Sequence, residues 1–289
     1  MIYFKEREYQ NLELKDLDNF VFDLDGTLLN SEAKIITKNL EAILKLKALG
    51  KNIFIATGRH FHSARTYLDQ VIPNFPVITA NGAAIWDLKN IQVLKTFFID
   101  KDIAKEIYDA LVEWKYDFSI YTPDKMIGHN ANKTGFFEKR NYIERLGDKY
   151  KEGNISHLIN DLQVCKFYVL MDSNDDHTFH NINSIIKKYG DKVHAQVSDF
   201  PNVDIMSIKA SKGNALEYLF KINNLDFNRT ICFGDGENDF SMFKISKYSG
   251  SFKSSKHPEV YDLTSMIFES NNVPWIDEFL KFISKPKNK

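Results

Sequence analysis

Short apolar runs alternate with segments of helical periodicity in the first part of the chain. Runs of strand length occur at 20–24, 52–56 and 76–80, and polar residues follow each of them. Between the first two runs, apolar positions recur every three or four residues over 37–49, which predicts a helix, and a second helix is predicted over 60–72. Strands that alternate with helices at this spacing predict right-handed βαβ units and a parallel sheet.

The middle of the chain alternates differently, with strands in succession between helices. It predicts strands at 93–99, 118–122, 125–129, 164–171 and 192–198 and helices at 100–115, 133–146 and 175–189. After about residue 205 the first rhythm resumes, with a helix at 212–225 and a buried strand at 229–233. We therefore predict an α/β fold in which residues 1–86 and 205–289 form a doubly wound parallel-sheet core and residues 87–204 form an inserted α/β (α+β) domain.

The composition is that of an ordinary globular protein of about two domains. The 289 residues are 43% hydrophobic, and 38 Lys and Arg residues nearly balance 39 Asp and Glu residues, which leaves a net charge of −1. This balance gives no global attraction to nucleic acid or to an anionic membrane, so we predict neither as a partner. Because two cysteines exclude a disulfide scaffold and the apolar runs are too short to span a membrane, we predict a cytoplasmic protein.

The first predicted strand ends in two carboxylates at the point where the chain turns. Asp23 and Asp25 lie two residues apart in the stretch Asp-Leu-Asp-Gly-Thr-Leu, and Gly26 lets the chain turn away. Paired carboxylates can hold Mg²⁺, and one can attack phosphorus while the other moves a proton. An Asp-Gly pair is also a frequent turn signal, so this stretch alone fits a plain strand-ending turn equally well.

The residues after the other predicted strands suit an anion. Thr57 and the N–H of Gly58 form a small anion cradle at the start of a helix, although a capped helix N-terminus explains this pair as well. Asn81 and Gly82 make a polar turn at the same sheet edge, of the kind that also begins a hairpin. Lys212 lies in the first turn of its helix, where the helix dipole disfavours a positive charge, so an anion nearby would account for it.

The most specific motif follows the strand at 229–233. The stretch Gly-Asp-Gly-Glu-Asn-Asp at 234–239 crowds three carboxylates and an amide together, and the carboxylates repel one another unless a cation lies among them. Their oxygens are hard ligands that suit Mg²⁺ rather than Zn²⁺. Neither acidic stretch fits an EF-hand loop, because the sixth positions counted from Asp23 and Asp235 hold Leu28 and Phe240 where that loop needs Gly.

The order of these motifs resembles that of the haloacid dehalogenase (HAD) superfamily of phosphohydrolases, namely DxDGTL, then TGR, then a lysine, then GDxxND. The stretch Ser-Lys-Gly-Asn-Ala-Leu, the Asn-Gly-Ala turn and the insertion between Thr57 and Lys212 are similar to the Cof-type branch, which has a type IIB cap at this point. The resemblance extends from about residue 18 to at least residue 245. It implies a Rossmann-like core with an inserted cap domain, and the activity of a phosphatase.

By this resemblance, Asp23 is the nucleophile that forms an aspartyl-phosphate, and Asp25 protonates the leaving alcohol and then activates water. An Asp at position 25, where the ATPases of the family carry Thr, implies phosphatase or phosphomutase chemistry. Thr57, the N–H of Gly58 and Lys212 would bind the phosphate. The implied Mg²⁺ ligands are Asp23, the backbone carbonyl of Asp25 and Asp235, with Asn238 and Asp239 in contact with the ion or just behind its ligands.

The motifs leave more than one function open. We predict a Mg²⁺-dependent phosphatase of a small phosphorylated metabolite, with a sugar phosphate as the default substrate. A phosphomutase on the same fold has the same motifs, and a non-catalytic phospholigand-binding module is a more distant alternative. Substrate choice is predicted to lie in the cap, with Tyr121, Thr122 and His129 as candidates beside Asn81 and Gly82. The sequence does not predict the oligomeric state.

Two segments depart from the pattern of the family. Some eighteen residues precede the first predicted strand, and we assign them no function. Residues 248–253 read Tyr-Ser-Gly-Ser-Phe-Lys where the family carries a run of small residues. Because that segment packs near the active site in the family, we expect altered local geometry there.

Overall fold

The computed structural model describes residues 1–131, 142–171, 176–199, 201–255, 257 and 259–285. Its strands are β1 (Ile2–Phe4), β2 (Asn19–Phe22), β3 (Asn52–Ile55), β4 (Val77–Thr79), β5 (Ala84–Asp87), β6 (Gln92–Thr96), β7 (Asp117–Tyr121), β8 (Met126–His129), β9 (Tyr150–Glu152), β10 (Lys166–Leu170), β11 (Val193–Asp199), β12 (Asn202–Ser207), β13 (Thr230–Phe233), β14 (Tyr248–Phe252) and β15 (Met266–Phe268). Its α-helices are α1 (Thr37–Ala48), α2 (Phe61–Val71), α3 (Lys101–Glu113), α4 (Tyr142–Leu146), α5 (Asp176–Tyr189), α6 (Lys212–Asn223), α7 (Phe240–Ile245), α8 (Val260–Leu263) and α9 (Trp275–Ile283). Among the described residues, none of these helices combines the length and the apolar character needed to cross a membrane.

Two of the predicted helices extend beyond the described residues. The helix predicted over 133–146 is described only from residue 142 onward, as α4. The first residue of the helix predicted over 175–189 also lies outside the described ranges, and α5 begins at the next one. The remaining predicted helices and strands are found within a few residues of their expected ends.

Six strands form the main sheet, in the order β1-β15-β14-β13-β2-β3. Neighbouring strands from β15 to β3 pair in parallel, whereas β1 runs antiparallel to β15. Strands from the two ends of the sequence meet at the centre of this sheet, where β2 pairs with β13. The predicted fold class, an α/β protein with a doubly wound parallel sheet, is confirmed.

Alternate residues of the central strands face opposite sides of the main sheet. Phe20, Phe22 and Phe233 pack toward α1 and α9, whereas Val21 and Cys232 pack toward α6 and α7. All five side chains are buried. Since helices cover both faces, the last three residues of both β2 and β13 are apolar, which is why these strands read as continuous apolar runs in the sequence.

The third predicted strand belongs to a separate hairpin sheet. β4 touches the main sheet through a bridge between Ala56 and Ile78, and it pairs antiparallel with β5, which pairs with β6. The chain reverses between β4 and β5, where Ala80 and Asn81 adopt positive φ angles of 50° and 55°. The run at 76–80 therefore starts a hairpin that lies beside the parallel sheet.

A second six-stranded sheet is built from the middle of the chain, in the order β11-β12-β10-β7-β8-β9. Its strands pair antiparallel, except β8 with β9. Helices α3 and α5 cover one face, where Ile107 and Ile182 belong to the same apolar cluster as Phe118 and Phe167. The sequence did not predict β12, and the proposed boundaries 86/87 and 204/205 fall within β5 and β12. The division at those residues stays a prediction.

The N-terminal segment and residues 248–253 both contribute to the main sheet. β1 extends its edge, and Leu12 and Leu17 of the segment after β1 are buried in the core. Residues 248–252 form β14 between β13 and β15. A Cβ added at Gly250 would lie 2.8 Å from the rings of both Phe233 and Phe268, so a small residue is required where β14 passes these rings.

Trp275 gives a test of the packing beneath residues 23–28, which follow β2 and are called the β2 loop. The indole is 1% exposed, contacts the rings of Phe233 and Phe268 at 4.8 and 5.0 Å, and donates from Nε1 to the carbonyl of Thr27 at 3.3 Å. We expect Trp275→Ala to lower the free energy of unfolding in urea by about 3–5 kcal/mol, because a large cavity forms. Trp114→Ala, at a half-buried indole after α3, should cost clearly less. An equal loss in both variants would contradict the packing described.

Candidate active site

Three parallel strands end side by side at one edge of the main sheet. β2 pairs with β3 on one side and with β13 on the other, so the segments that follow these strands meet. These segments contain Asp23 after β2, Thr57 after β3 and Asp235 after β13. Ligands of open α/β sheets bind beyond the carboxyl ends of the strands, which makes this edge the candidate active site.

Lys212 is a buried cation at this edge. It is the first residue of α6, whose N-cap Ser211 accepts a hydrogen bond from the N–H of Asn214. Its Nζ donates to Oδ1 of Asp23 and to Oδ1 of Asp239, at 2.6 Å each. These two carboxylates account for a lysine in the first turn of a helix, where the dipole alone disfavours it.

Burial and charge act in opposite directions on this ion pair. Burial raises the pKa of Asp23 well above its ordinary range, the charge of Lys212 opposes this, and Asp239, Asp235 and Asp25 add to it. Burial lowers the pKa of Lys212, but the charges of Asp23 and Asp239 outweigh burial and raise it. Lys212 is therefore protonated at neutral pH, and further positive charge at this edge would favour the ionised form of Asp23.

The carboxylates at this edge are spaced to hold a metal ion. Asp23, Asp235 and Asp239 each place an oxygen within 4.8 Å of the others, and three hard oxygen donors fit Mg²⁺. Asp239 is engaged at both oxygens, because Oδ1 accepts from Lys212 and Oδ2 accepts from the N–H groups of Asp235 and Gly236 at 2.9 Å each. Both oxygens of Asp239 are therefore held by the protein itself.

Asp25 pairs with Arg59, to which the sequence reasoning gave no role. Nε of Arg59 donates to Oδ2 at 2.7 Å and Nη2 donates to Oδ1 at 2.6 Å, a bidentate geometry that fixes the carboxylate. The side chain of Asp25 is 53% exposed, whereas that of Arg59 is 7% exposed and lies over the ring of Tyr67. The arginine directly after Thr57 and Gly58 was the sequence signal for this contact.

The segment after β3 is held by the neighbouring turns. Thr57 is buried, and its Oγ1 accepts a hydrogen bond from the N–H of Arg59 at 3.2 Å. A Cβ added at Gly58 would lie 2.7 Å from Oδ1 of Asn81, so the turn at Asn81 closes on this glycine. Nδ2 of Asn238 donates to the same oxygen at 3.0 Å. The structure thus brings these four predicted site residues together.

The predicted cap residues lie on different faces of the second sheet. Tyr121 is buried on the face that meets the core, with its ring 4.4 Å from Nζ of Lys166. His129 lies on the opposite face, stacked on Phe118 at 4.9 Å, so the structure does not bring it to the carboxylates. The alternation of β8 is the reason, since His129 shares a face with Ile127, which packs in the cluster beneath α3 and α5.

Two turns connect this edge to the neighbouring elements. Nε2 of neutral His60 donates to the carbonyl of Thr122 at 2.9 Å, which fixes the turn after β7 against the start of α2. Burial lowers the pKa of His60 to about 3, and the bond to the Thr122 carbonyl opposes this shift. A Cβ added at Gly82 would lie 2.0 Å from the carbonyl oxygen of Ser211, so the Asn-Gly turn packs directly on the start of α6.

A pair of glycines with the same backbone conformation tests the approach of Asp235 to the β2 loop. Gly26 and Gly50 have φ of +73° and +75°, but a Cβ at Gly26 would lie 2.0 Å from Oδ2 of Asp235, whereas Gly50 faces open space. We expect Gly50→Ala to cost about 1–2 kcal/mol of stability from backbone strain. Gly26→Ala should cost about 1–3 kcal/mol more and should weaken Mg²⁺ binding in calorimetry. Equal behaviour of the two variants would contradict the close approach.

His60 predicts a dependence of stability on pH. The unfolded chain protonates this imidazole below about pH 6.5, whereas the folded chain resists protonation down to a pKa of about 3, so stability falls as the pH decreases through this window. Between pH 7 and pH 5, the free energy of unfolding of the wild type should fall by about 2 kcal/mol more than that of His60→Gln. The exposed His157 gives the control, since His157→Gln should follow the wild type. Parallel profiles for wild type and His60→Gln would contradict the assignment.

Comparisons with known proteins agree with the geometry of this edge. A family model described as haloacid dehalogenase-like hydrolase matches residues 20–278. A protein of Mycoplasma genitalium, provisionally named a phosphatase, is 29% identical over 250 residues, which cover 81% of this chain and 86% of the relative. The 5-amino-6-(5-phospho-D-ribitylamino)uracil phosphatase of Bacillus subtilis is 24% identical over 282 residues, which cover 89% of this chain and 95% of the relative.

A solved structure has the same fold along almost the whole chain. It is described as a sugar phosphatase of HAD subclass IIB, and it superimposes with a TM-score of 0.78 at 18% identity, covering 91% of this chain and 98% of that one. The match of the family model extends from β2 to α9 and includes every strand end that carries the motifs. The chain therefore belongs to the haloacid dehalogenase-like hydrolases, within the phosphatase family of the Cof type.

Proposed function

We propose that this chain is a Mg²⁺-dependent phosphatase that hydrolyses a small phosphorylated metabolite through an aspartyl-phosphate on Asp23. The observation that carries the proposal is the contact of Lys212 with both Asp23 and Asp239 at the end of the parallel strands. A phosphate dianion is repelled by a carboxylate nucleophile. The protonated lysine offsets part of this repulsion in a buried site, where a charge acts strongly.

The phosphate group is proposed to bind between the first and second motifs. The hydroxyl of Thr57 and the N–H of Gly58 donate hydrogen bonds to its oxygens, and the ammonium group of Lys212 offsets its charge. The contact of Asn81 with Gly58 supports this role, because it fixes the glycine close to the buried threonine. Preorganised donors of this kind stabilise a transferring phosphoryl group without reorganising during the reaction.

Two proton transfers by Asp25 complete the proposed reaction. A carboxylate oxygen of Asp23 forms a bond to phosphorus while the bond to the leaving oxygen breaks, and the Asp25 carboxyl protonates that oxygen. The Asp25 carboxylate then takes a proton from water as the water oxygen attacks phosphorus. The bond between phosphorus and Asp23 breaks, which releases phosphate and restores the nucleophile. The bidentate contact with Arg59 places an exposed carboxylate beside the buried one, and Asp25 must give up one of these two hydrogen bonds when it carries the proton.

The metal ion of this proposal is Mg²⁺, and the chemistry of the donors supports it. The ion would be held by Asp23, Asp235 and the backbone carbonyl of Asp25. Two further residues, Asn238 and Asp239, would contact the ion or lie just behind its ligands. When bound, Mg²⁺ supplies positive charge that favours the ionised carboxylate and the approach of an anion. Both oxygens of Asp239 already accept hydrogen bonds, which supports a role in holding Lys212 and the backbone at 235–236 in place.

The leaving group is proposed to be small and hydroxylated, with a sugar phosphate as the default. The core residues contact only the phosphate in this proposal, so selectivity falls to the face of the second sheet that carries Tyr121. We propose that this sheet belongs to a cap inserted over residues 87–204, with the core in residues 1–86 and 205–289. The Bacillus subtilis relative acts on a phosphorylated ribitylamino compound, which belongs in the substrate panel for that reason.

The proposed nucleophile predicts the effect of a single atom change. The purified chain should hydrolyse p-nitrophenyl phosphate with Mg²⁺, lose activity in a chelator and regain it when Mg²⁺ is added. Asp23→Asn should reduce kcat by at least about 10³-fold, because the amide cannot form the acyl-phosphate. Asp69→Asn, an exposed carboxylate on α2, is the matched control and should keep wild-type turnover. Turnover that Asp23→Asn leaves unchanged would exclude the proposed mechanism.

The products separate the phosphatase from the phosphomutase alternative. Incubation with hexose 1-phosphates should release inorganic phosphate if water accepts the phosphoryl group. Formation of the isomeric hexose phosphate without free phosphate would assign the mutase reaction instead. Binding of phosphorylated compounds without any turnover in the whole panel would favour the non-catalytic alternative.

A further inference from the structure

A buried charge pair joins two strands of the second sheet. Nζ of Lys166 on β10 lies 2.9 Å from Oδ1 of Asp204 on β12, and the two side chains are 2% and 0% exposed. The rings of Tyr121 and Tyr168 lie 4.4 and 5.4 Å from the same ammonium group. Replacing a buried ion pair by apolar residues is often neutral or stabilising, so stability alone does not account for this pair.

Lys166 also contacts the segment that follows β3. Its Nζ donates to the carbonyl oxygen of Gly58 at 3.1 Å. The N–H of the same peptide unit belongs to Arg59, and it donates to Oγ1 of Thr57 at 3.2 Å. The peptide is therefore held at both ends, and the positive charge at its carbonyl polarises it toward a stronger N–H donor. Because the Thr57 oxygen already accepts this bond, its own hydrogen is directed elsewhere, toward an acceptor such as a phosphate oxygen.

Asp204 contacts the same edge of the main sheet through the side chain of Asn81. Its Oδ2 accepts from Nδ2 of Asn81 at 2.7 Å, and Oδ1 of Asn81 accepts from Nδ2 of Asn238 at 3.0 Å. Asn81 has a left-handed backbone, with φ of 55° and ψ of 34°, in a turn that the carboxylate of Asp204 holds. The side-chain oxygen of Asn81 is the atom that closes on Gly58. Both members of the charge pair thus act on the segment that carries Thr57 and Gly58.

We propose that Lys166 and Asp204 are positioning residues, through which the second sheet holds the Thr57 hydroxyl and the N–H of Gly58 in the geometry that binds phosphate. The inference rests on the proposed function, since it assigns phosphate binding to Thr57 and Gly58. Neither residue touches the phosphate. The pair acts through the Gly58 carbonyl and through Asn81. The second sheet, whose face is proposed to select the leaving group, would then also position the donors that bind the phosphate. Burial lowers the pKa of Lys166, and the charge of Asp204 opposes this shift.

The test compares phosphate binding with stability in Lys166→Met. We expect the KM for p-nitrophenyl phosphate and the Kd for inorganic phosphate, measured by calorimetry with Mg²⁺, to rise about tenfold or more. We expect kcat to change less than about threefold, because the lost contact acts equally on the ground state and the transition state. Tyr108→Phe is the matched control. It removes the hydrogen bond that the buried N–H of Ile155 donates to the hydroxyl of Tyr108, in the apolar cluster beneath α3 and α5, so it should lower Tm and leave KM and Kd unchanged.

A double variant separates positioning from folding. Lys166→Met should have a lower Tm than the wild type, because it leaves the Asp204 carboxylate buried without its cation. Lys166→Met/Asp204→Asn removes both charges and keeps an amide oxygen that can accept from Asn81, so Tm should return toward the wild type. KM and Kd should stay raised, because the Gly58 carbonyl still lacks its donor. If Lys166→Met does not fold, the double variant carries the test.

The outcomes distinguish this inference from the proposed function. KM and Kd within twofold of the wild type in either folded variant, or their recovery together with Tm in the double variant, would overturn the positioning role. In both cases the wild type still hydrolyses phosphate esters and the proposed function stands. A wild type that neither binds phosphate nor turns over would contradict the proposed function itself, and the positioning role with it.

Discussion

The ammonium group of Lys212 holds Asp23 and Asp239 together at the buried end of the parallel sheet, and the site depends on this contact. Without it the two carboxylates would repel each other, and burial together with the charges of Asp239 and Asp235 would favour the protonated form of Asp23. The protonated lysine between them offsets this repulsion. The contact joins residues 189 positions apart, so it exists only when both ends of the sequence have entered one sheet.

The carboxylates of Asp239 and Asp25 at this edge have different hydrogen-bond partners. Asp239 is saturated by Lys212 and two backbone N–H groups, whereas Asp25 is taken up by Arg59. Carboxylates of one residue type therefore have different environments, one buried beside a lysine and one exposed beside an arginine. The two aspartates, two positions apart, thus differ in burial and in counterion, and such a difference lets carboxylates of one residue type take different roles.

The sequence predicted those strands whose apolar pattern follows directly from burial on both faces of the sheet. β2, β3 and β13 are apolar at every position after their first residue because both faces of the sheet are covered, and the motifs follow them. β12 was missed because Asn202, Asp204 and Ser207 interrupt its apolar pattern. Contacts with other elements account for two of them, since Asn202 accepts from the N–H of Met171 and Asp204 accepts from Asn81. His129 was assigned to the site although the alternation of β8 turns it to the other face. The register of a strand against its neighbours decides such a choice, and a single sequence does not contain it.

The central claim is that Asp23 takes up the phosphoryl group, and acid-quenched mass spectrometry during turnover tests it most directly. With Asp25→Asn and p-nitrophenyl phosphate, whose leaving group needs little protonation, the second step lacks its base and the intermediate should accumulate. The account predicts one phosphoryl group on the peptide that contains Asp23, lost on treatment with hydroxylamine, which cleaves acyl-phosphates. A phosphoryl group on any other residue, or an enzyme that turns over without one on this peptide, would contradict the account.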